Sequence, residues 1–237
     1  MKKFFFPGIL MAALIAASLV LFPAAAQQVG SKYKPKATGA PDIAMIFHKL
    51  SGAKPDFKRW AMNTDTYRNA SKFDKQLVLR DLEGKMMSAY GLVSTSEPVV
   101  VHLRTLLSKY TFSHQGYMID GFKEDTYFDY EFNGENYALV MPGLMDAQWL
   151  PVGPEDSKKI ESGLIGATRH IDMVLYIDPK FADRATQMTL DGKNYWLLSG
   201  AVRALTLYRV DSDEIVWQKN AEAFNSIRQN ELIKLYQ

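Results

Sequence analysis

The chain has 237 residues, contains no cysteine, and carries 28 lysines and arginines against 26 aspartates and glutamates. The lack of cysteine excludes disulfide bonds, thiol catalysis, CxxC redox chemistry and cysteine-ligated zinc. The nearly balanced charge argues against a nucleic-acid-binding surface, which needs clustered lysine and arginine, and gives no reason to expect strong attraction to anionic membranes.

Residues 1–26 have the pattern of a cleaved signal peptide. A short basic start at Lys2 and Lys3 precedes an uncharged apolar run over residues 9–22, and Ala24 to Ala26 supply the small residues that signal peptidases accept. We predict cleavage after Ala26. The alternative is an uncleaved anchor, but the run is shorter than the roughly 20 apolar residues that a spanning helix needs.

Cleavage removes two lysines and no acid, which leaves 26 basic and 26 acidic residues. We expect no transmembrane segment after cleavage. An export signal without disulfides fits the bacterial periplasm better than a eukaryotic secretory route, so we predict a periplasmic location. Residues 27–40 are polar, with glycine, proline and three lysines, and predict a flexible leader.

Two helical segments are predicted before the first strand. Asp42 is a candidate cap for a short helix through His48, with an apolar face that includes Ile43 and Phe47, and Gly52 ends it. Residues 57–90 are compatible with a long helix capped at Thr64 or Asp65 and ended by Gly91. Its apolar positions recur near the helical period and are expected to cover a sheet: Tyr67, Phe73, Leu77, Leu79, Leu82, Met86 and Met87.

The strongest local signal is a hairpin over residues 126–141. Asn133-Gly134 lies between two strand-like runs, and a type I′ turn needs positive φ at both central residues. The expected cross-strand pairs are Phe132 with Glu135, Tyr130 with Tyr137, and Phe128 with Leu139. These six side chains share one face, and Asp129, Glu131 and Asn136 face water.

Further strands are predicted on both sides of this hairpin. The predicted strands are 99–103, 117–122, 168–178, 201–210 and 215–217, and Asp178-Pro179 ends the third of them. A second hairpin is predicted to turn at Asp191-Gly192. Residues 142–157 predict a loop, which is a possible internal seam of a single domain over residues 41–237. Residues 221–237 predict an amphipathic helix that uses Phe224, Ile227, Leu232 and Leu235.

These elements predict the α+β class, with a largely antiparallel sheet of several hairpins, N-terminal helices and a C-terminal helix. The chain contains no G-x-S-x-G elbow, H-E-x-x-H, G-x-G-x-x-G or P-loop sequence. The S-x-x-K match at Ser51 lies at a predicted helix end, which is the wrong context for a nucleophile. The four histidines are dispersed, so we predict no metal site and no cofactor.

One strand offers a candidate binding face. His170, Asp172, Tyr176 and Asp178 lie opposite the apolar row of the 168–178 strand. A histidine two residues from an aspartate on one face is able to share a proton, which would support acid–base chemistry or ligand recognition. The water-facing side of an ordinary antiparallel sheet has the same composition, and both interpretations stay open.

The leading hypothesis is a non-enzymatic protein of the bacterial cell envelope that binds a protein or an envelope component, and no nucleic acid. The export signal, the missing catalytic motifs and an aromatic-rich sheet with an edge for strand addition motivate it. The alternative is a small periplasmic hydrolase that uses acidic residues. An enzyme predicts a deep pocket with convergent groups, whereas a binding protein predicts an exposed apolar patch or an unpaired strand edge.

Overall fold

A computed structural model describes residues 34–164 and 168–220. Its helices are α1 (Ala40–Leu50), α2 (Phe57–Met62), α3 (Asp65–Arg68), α4 (Lys75–Leu92) and α5 (Pro154–Gly163). Its strands are β1 (Val99–Leu106), β2 (Gly116–Met118), β3 (Tyr127–Phe132), β4 (Glu135–Val140), β5 (Trp149–Pro151), β6 (His170–Leu190), β7 (Lys193–Tyr208) and β8 (Ile215–Asn220).

The main sheet has six strands in the order β1-β6-β7-β4-β3, with β8 paired to β7 beside β4. Only the β4–β7 pairing is parallel among the described strands, and β2 and β5 form a separate two-stranded sheet. Helices with a mostly antiparallel sheet confirm the α+β class. The helix predicted at 221–237 lies outside the described residues, as does the predicted signal peptide.

The hairpin predicted at Asn133-Gly134 is confirmed in its full register. Phe132 pairs with Glu135, Tyr130 with Tyr137, and Phe128 with Leu139. Asn133 and Gly134 have φ of 53° and 76°, as a type I′ turn requires. Ala138, on the other face, is also buried, and β7 flanks β4 on the edge away from β3.

The strand predicted to end at Asp178-Pro179 continues instead to Leu190, so that boundary was wrong. Proline interrupts a strand that is paired on both sides, because it cannot donate to the ladder. The β1–β6 pairing stops at Val99 and Ile177, so β6 has a neighbour on one side only when it reaches Pro179. A register shift between Pro179 and Phe181 absorbs the irregularity, and the turn at Asp191-Gly192 is confirmed.

Helix α1 supplies much of the core. It begins at Ala40 after the N-cap Gly39, so Asp42 lies in the first turn and is not the cap that we predicted. Ile43, Ile46 and Phe47 are buried, in agreement with the predicted apolar face. Ser51 is the C-cap, which confirms that the S-x-x-K match lies at a helix end.

The long helix predicted over residues 57–90 is three helices, and its predicted apolar face is only partly covered: Leu79, Leu82 and Met86 are half-buried, whereas Met87 is exposed. Thr64 caps α3 through a side-chain bond to the Tyr67 amide, and α4 passes through Gly91 to Leu92. No residue of α4 is buried. Its half-buried side packs on α2 and α3, whereas Phe73 and Leu77 are exposed. Apolar periodicity identified the helix, but it does not tell which neighbour covers which side.

The region predicted as a loop at 142–157 contains short elements. A 3-10 turn at Leu144–Ala147 leads into β5, and α5 begins at Pro154, a favoured residue in a first helical turn. Leu144 and Leu150 belong to the same buried apolar cluster as Phe47. Among the described helices, none has both the length and the apolar content required to span a bilayer.

Candidate partner-binding site

The four residues predicted as a binding face all lie on β6, and three of them form polar contacts. Asp172 is 6% exposed and lies directly opposite Arg104 of β1. Arg104 Nε donates to Asp172 Oδ1 at 2.8 Å, and Lys34 Nζ donates to Asp172 Oδ2 at 2.9 Å. The Asp211 amide also donates to Oδ2, at 3.3 Å. The carboxylate therefore accepts from three separate parts of the chain.

This arrangement holds Asp172 ionised. Burial by itself raises the pKa of the carboxyl, but the hydrogen bonds from Arg104 and Lys34 outweigh it and lower the pKa to about 2. No hydrogen bond joins His170 to Asp172 among the described residues. A carboxylate with so low a pKa is a weak general base near neutral pH, because its affinity for a proton is small.

The other two predicted residues have different neighbours. Asp178 Oδ1 lies 2.6 Å from Arg203 Nε, and its Oδ2 lies 3.5 Å from Lys180 Nζ. Tyr176 neighbours Tyr208, whose pKa is raised by burial first and then by Tyr176. The four predicted residues therefore share one face of β6, but they contact different neighbours and do not contact one another.

Sequence reasoning missed the residues that surround Asp172. Lys34 was assigned to the leader, Arg104 follows the predicted 99–103 segment, and Asp211 lies between the predicted 201–210 and 215–217 strands. Only the pairing of β1 with β6 places Arg104 opposite Asp172, and that register connects residues 68 positions apart. No local pattern in the sequence encodes it.

The structure reveals a second site, where two strand edges border one cleft. The Val100 carbonyl accepts from the Thr38 amide on the side of β1 away from β6, at 2.9 Å. Because backbone groups alternate along an antiparallel ladder, His102 and Arg104 also direct their amides and carbonyls away from β6. Within the described part of the chain, no hydrogen bond reaches those backbone groups.

The edge of β3 also has backbone groups that point outward without a hydrogen-bond partner among the described residues. The two residues that flank a two-residue turn exchange backbone hydrogen bonds. The backbone amides and carbonyls of Phe132, Tyr130 and Phe128 therefore point towards β4. Asp129 and Glu131 therefore direct their backbone groups outward, and no described residue bonds to them. We call the space between these two edges the edge cleft.

The edge cleft has a volume of about 300 Å³. It is lined by Ala37, Thr38, residues 100–102 of β1 and residues 127–130 of β3. The Tyr127 hydroxyl donates to Asp191 Oδ2 at 2.9 Å, and this bond, followed by burial, raises the pKa of Tyr127 to about 12. Burial, followed by the charge of Asp129, also raises the pKa of Tyr130 to about 12. Both phenols therefore stay neutral at physiological pH, and Asp191 already accepts the hydroxyl proton of Tyr127.

Two further cavities, of about 410 and 360 Å³, lie on the surface. The larger borders the end of α4 at Leu92, and the smaller borders Arg169. Within residues 34–164 and 168–220, no three histidine or acidic side chains converge to hold a metal ion. No protein-family model, curated protein or solved structure matches this chain.

Proposed function

We propose that this is an exported protein of the bacterial periplasm that acts without catalysis, by binding an extended segment of a cell-envelope partner in the edge cleft. The observation that carries the proposal is a cleft bordered by two strand edges. The outward backbone groups of His102 and Asp129 on these edges have no partner among the described residues, whereas those of Val100 bond to Thr38. An extended peptide satisfies such groups by adding a strand.

The strand directions support this mode of binding. β1, β7 and β4 run one way, and β6 and β3 run the other, so the two borders of the edge cleft are antiparallel to each other. A segment between them would pair in antiparallel fashion with one edge and in parallel fashion with the other. The main-chain bonds would supply affinity, and Tyr127 and Tyr130 would select the side chains of the partner.

The first test is a capture experiment with the full chain and envelope fractions of its own host. Ala37 lines the edge cleft and is exposed, so Ala37→Trp fills the cleft without disturbing the core. Lys36→Trp is the matched control, because Lys36 is an exposed neighbour that does not line the cleft. A partner retained by the wild type and by Lys36→Trp, and lost with Ala37→Trp, supports the proposal. Equal capture by both variants contradicts it.

A second test probes the backbone directly. Asp129→Pro removes an outward amide from an edge strand, where proline is tolerated, and leaves the β3–β4 ladder intact. We expect this variant to keep its thermal stability and to lose the partner. Bound partner should also slow amide exchange at His102, Arg104 and Glu131 in the wild type. Unchanged exchange at those amides would exclude strand addition here.

Export is tested separately. Mass spectrometry of the protein recovered from the periplasmic fraction of its host should find an N-terminus at Gln27. Recovery only from the cytosol, or with residues 1–26 still attached, would contradict the periplasmic assignment and leave the cleft experiment unaffected.

A further inference from the structure

The face of the sheet that carries Asp172 is buried along two central strands. Residues directly opposite each other in a ladder share a face, so Val174 and Thr206 lie on the same face as Asp172 and Tyr208. Val174 is 0% exposed and Thr206 is 1% exposed. We call the buried set on this face the outer layer: Asp172, Val174, Ala204, Thr206 and Tyr208.

The outer layer is separate from the main core. The main apolar cluster contains Met173 and Leu207, which face each other on the opposite side of β6 and β7. Helices α1, α2 and α5 bury their apolar side chains in the same cluster, through Ile43, Trp60 and Ile160. Within the described chain, no residue of the outer layer belongs to that cluster. These helices therefore cover the inner face of the sheet and leave the outer layer to be covered by something else.

Lys34 covers one end of the outer layer. Its Nζ donates to Asp172 Oδ2 at 2.9 Å and lies 5.4 Å from the centre of the Tyr208 ring. Ala204 is four residues along β7 from Tyr208, about 13 Å away, and Val174 lies between the two ends. Contacts at the Asp172 end do not account for the full burial of Val174 and Ala204. Their burial indicates a further segment of chain above the other end of the layer.

The chain leaves the described region beside that end. β8 ends at Asn220, which is directly opposite Ala204. Residues 221–237 follow and are long enough for a helix of about 25 Å. From β8 across β7 and β6 to β1 is three strand spacings, about 14 Å. A helix of this length that starts at Asn220 therefore spans the whole layer.

The sequence of residues 221–237 fits an apolar surface. Its apolar positions recur near the helical period: Phe224, Ile227, Leu232 and Leu235. Residues 27–33, which precede Lys34, contain only Val29 and Tyr33 as large apolar or aromatic residues. Residues 1–26 are predicted to be removed on export. The C-terminal segment is therefore the part of the mature chain whose side chains match the outer layer.

We propose that residues 221–237 form an amphipathic helix that packs its apolar side on the outer layer of the same chain. The helix covers Val174 and Ala204 beside the end that Lys34 covers. The centre of the face predicted to bind a partner is then occupied by the chain itself. The edge cleft lies elsewhere, and this proposal does not depend on it.

The first experiment measures how fast a thiol reagent labels a single cysteine in the full chain, which has none of its own. Val174→Cys reports on the outer layer, and Met173→Cys, its neighbour on the inner face, reports on the core. We expect both thiols to be labelled slowly. Adding Phe224→Asp should accelerate labelling of Val174→Cys by about tenfold or more and leave Met173→Cys unchanged, because only the outer layer is uncovered.

Ser226→Asp is the matched control, because it places the same charge on the opposite side of the predicted helix and should change neither rate. Unchanged labelling of Val174→Cys with Phe224→Asp, or equal acceleration by Ser226→Asp, would overturn the proposal. Acceleration by Tyr33→Asp alone would also overturn it and assign the cover to the residues before Lys34. If Phe224→Asp accelerates labelling of both thiols, the core has opened, and the milder Phe224→Ala is judged by the same criterion.

The second experiment locates the segment without weakening its packing. A photoreactive benzophenone side chain replaces the Phe224 ring in the full chain, and mass spectrometry identifies the peptides that it cross-links. We expect cross-links within one copy to peptides of β6 or β7 that contain Val174 or Thr206. Cross-links confined to the helices would overturn the proposal. Cross-links between two copies would show that the segment covers a second copy, and would overturn its assignment to the same chain.

Discussion

Arg104 and Asp172 face each other directly across the β1–β6 ladder, with Arg104 Nε 2.8 Å from Asp172 Oδ1. The pair fastens an edge strand to its neighbour within the sheet. Arg104 also donates to Asp211 Oδ1 at 2.6 Å, and Lys34 reaches Asp172 from the segment before α1. One buried carboxylate therefore joins the start of the domain, its edge strand and the β7–β8 turn.

Replacement of this carboxylate should destabilise the fold. Asp172→Asn removes the charge that accepts from Lys34 and Arg104, and we expect the free energy of unfolding in urea to fall by about 1–3 kcal/mol. In the Arg104→Met, Asp172→Asn double variant, the loss should be smaller than the sum of the two single losses, because the partners interact. Additive losses would show that the contact is energetically neutral.

The same carboxylate predicts how stability depends on pH. The pKa of Asp172 is about 2 in the folded state, against about 3.9 for an unfolded aspartate. A lowered folded-state pKa gives stabilisation that is present above pH 4 and is lost as the pH falls towards 2. Between these values the wild type should lose more stability than Asp172→Asn. If the wild type and Asp172→Asn lose stability equally over this pH range, the lowered pKa of Asp172 is refuted as the cause.

Two glycines without positive φ should respond oppositely to alanine. At Gly200 an added Cβ would lie 2.5 Å from Ile177 Cγ2 and 2.9 Å from the Asp178 carbonyl oxygen. We expect Gly200→Ala to lower the free energy of unfolding by about 1–3 kcal/mol through overpacking. Gly84→Ala is the control. It should raise that free energy by about 0.5–1 kcal/mol, because an added Cβ meets no atom within 4 Å.

A buried hydroxyl offers a stabilising substitution. Thr206 is 1% exposed, and its Oγ1 has no hydrogen-bond partner among the described residues. Thr206→Val keeps the shape of the side chain and removes a polar atom that has lost its water. Calorimetry should show a higher melting temperature and a gain of about 1 kcal/mol. A lower melting temperature would mean that the hydroxyl is bonded.

The hairpin at Asn133-Gly134 could be derived in full from the sequence, because turn chemistry and strand alternation both act over a few residues. The same local logic located α1 and the Asp191-Gly192 turn. It failed at Pro179, because the rule that proline ends a strand assumes a neighbouring strand on each side. At α4 it succeeded only in part, because Leu79, Leu82 and Met86 are half-buried but the rest of the predicted apolar face is not.

The candidate sites depended more heavily on the fold. The sequence placed His170, Asp172, Tyr176 and Asp178 on one strand face but could not supply Arg104 and Lys34, which arrive from distant segments. The edge cleft exists because β1 and β3, the first and last strands of the sheet order, border the same space.

The sequence by itself determined the chain's local structure: the turns, the apolar faces, the absence of cysteine and the class of fold. Only the tertiary structure decided which strand edges stay unpaired, which acid is held between two cations, and which side of α4 is exposed. Local preferences act through the backbone and nearest neighbours, whereas these features depend on contacts between residues tens of positions apart.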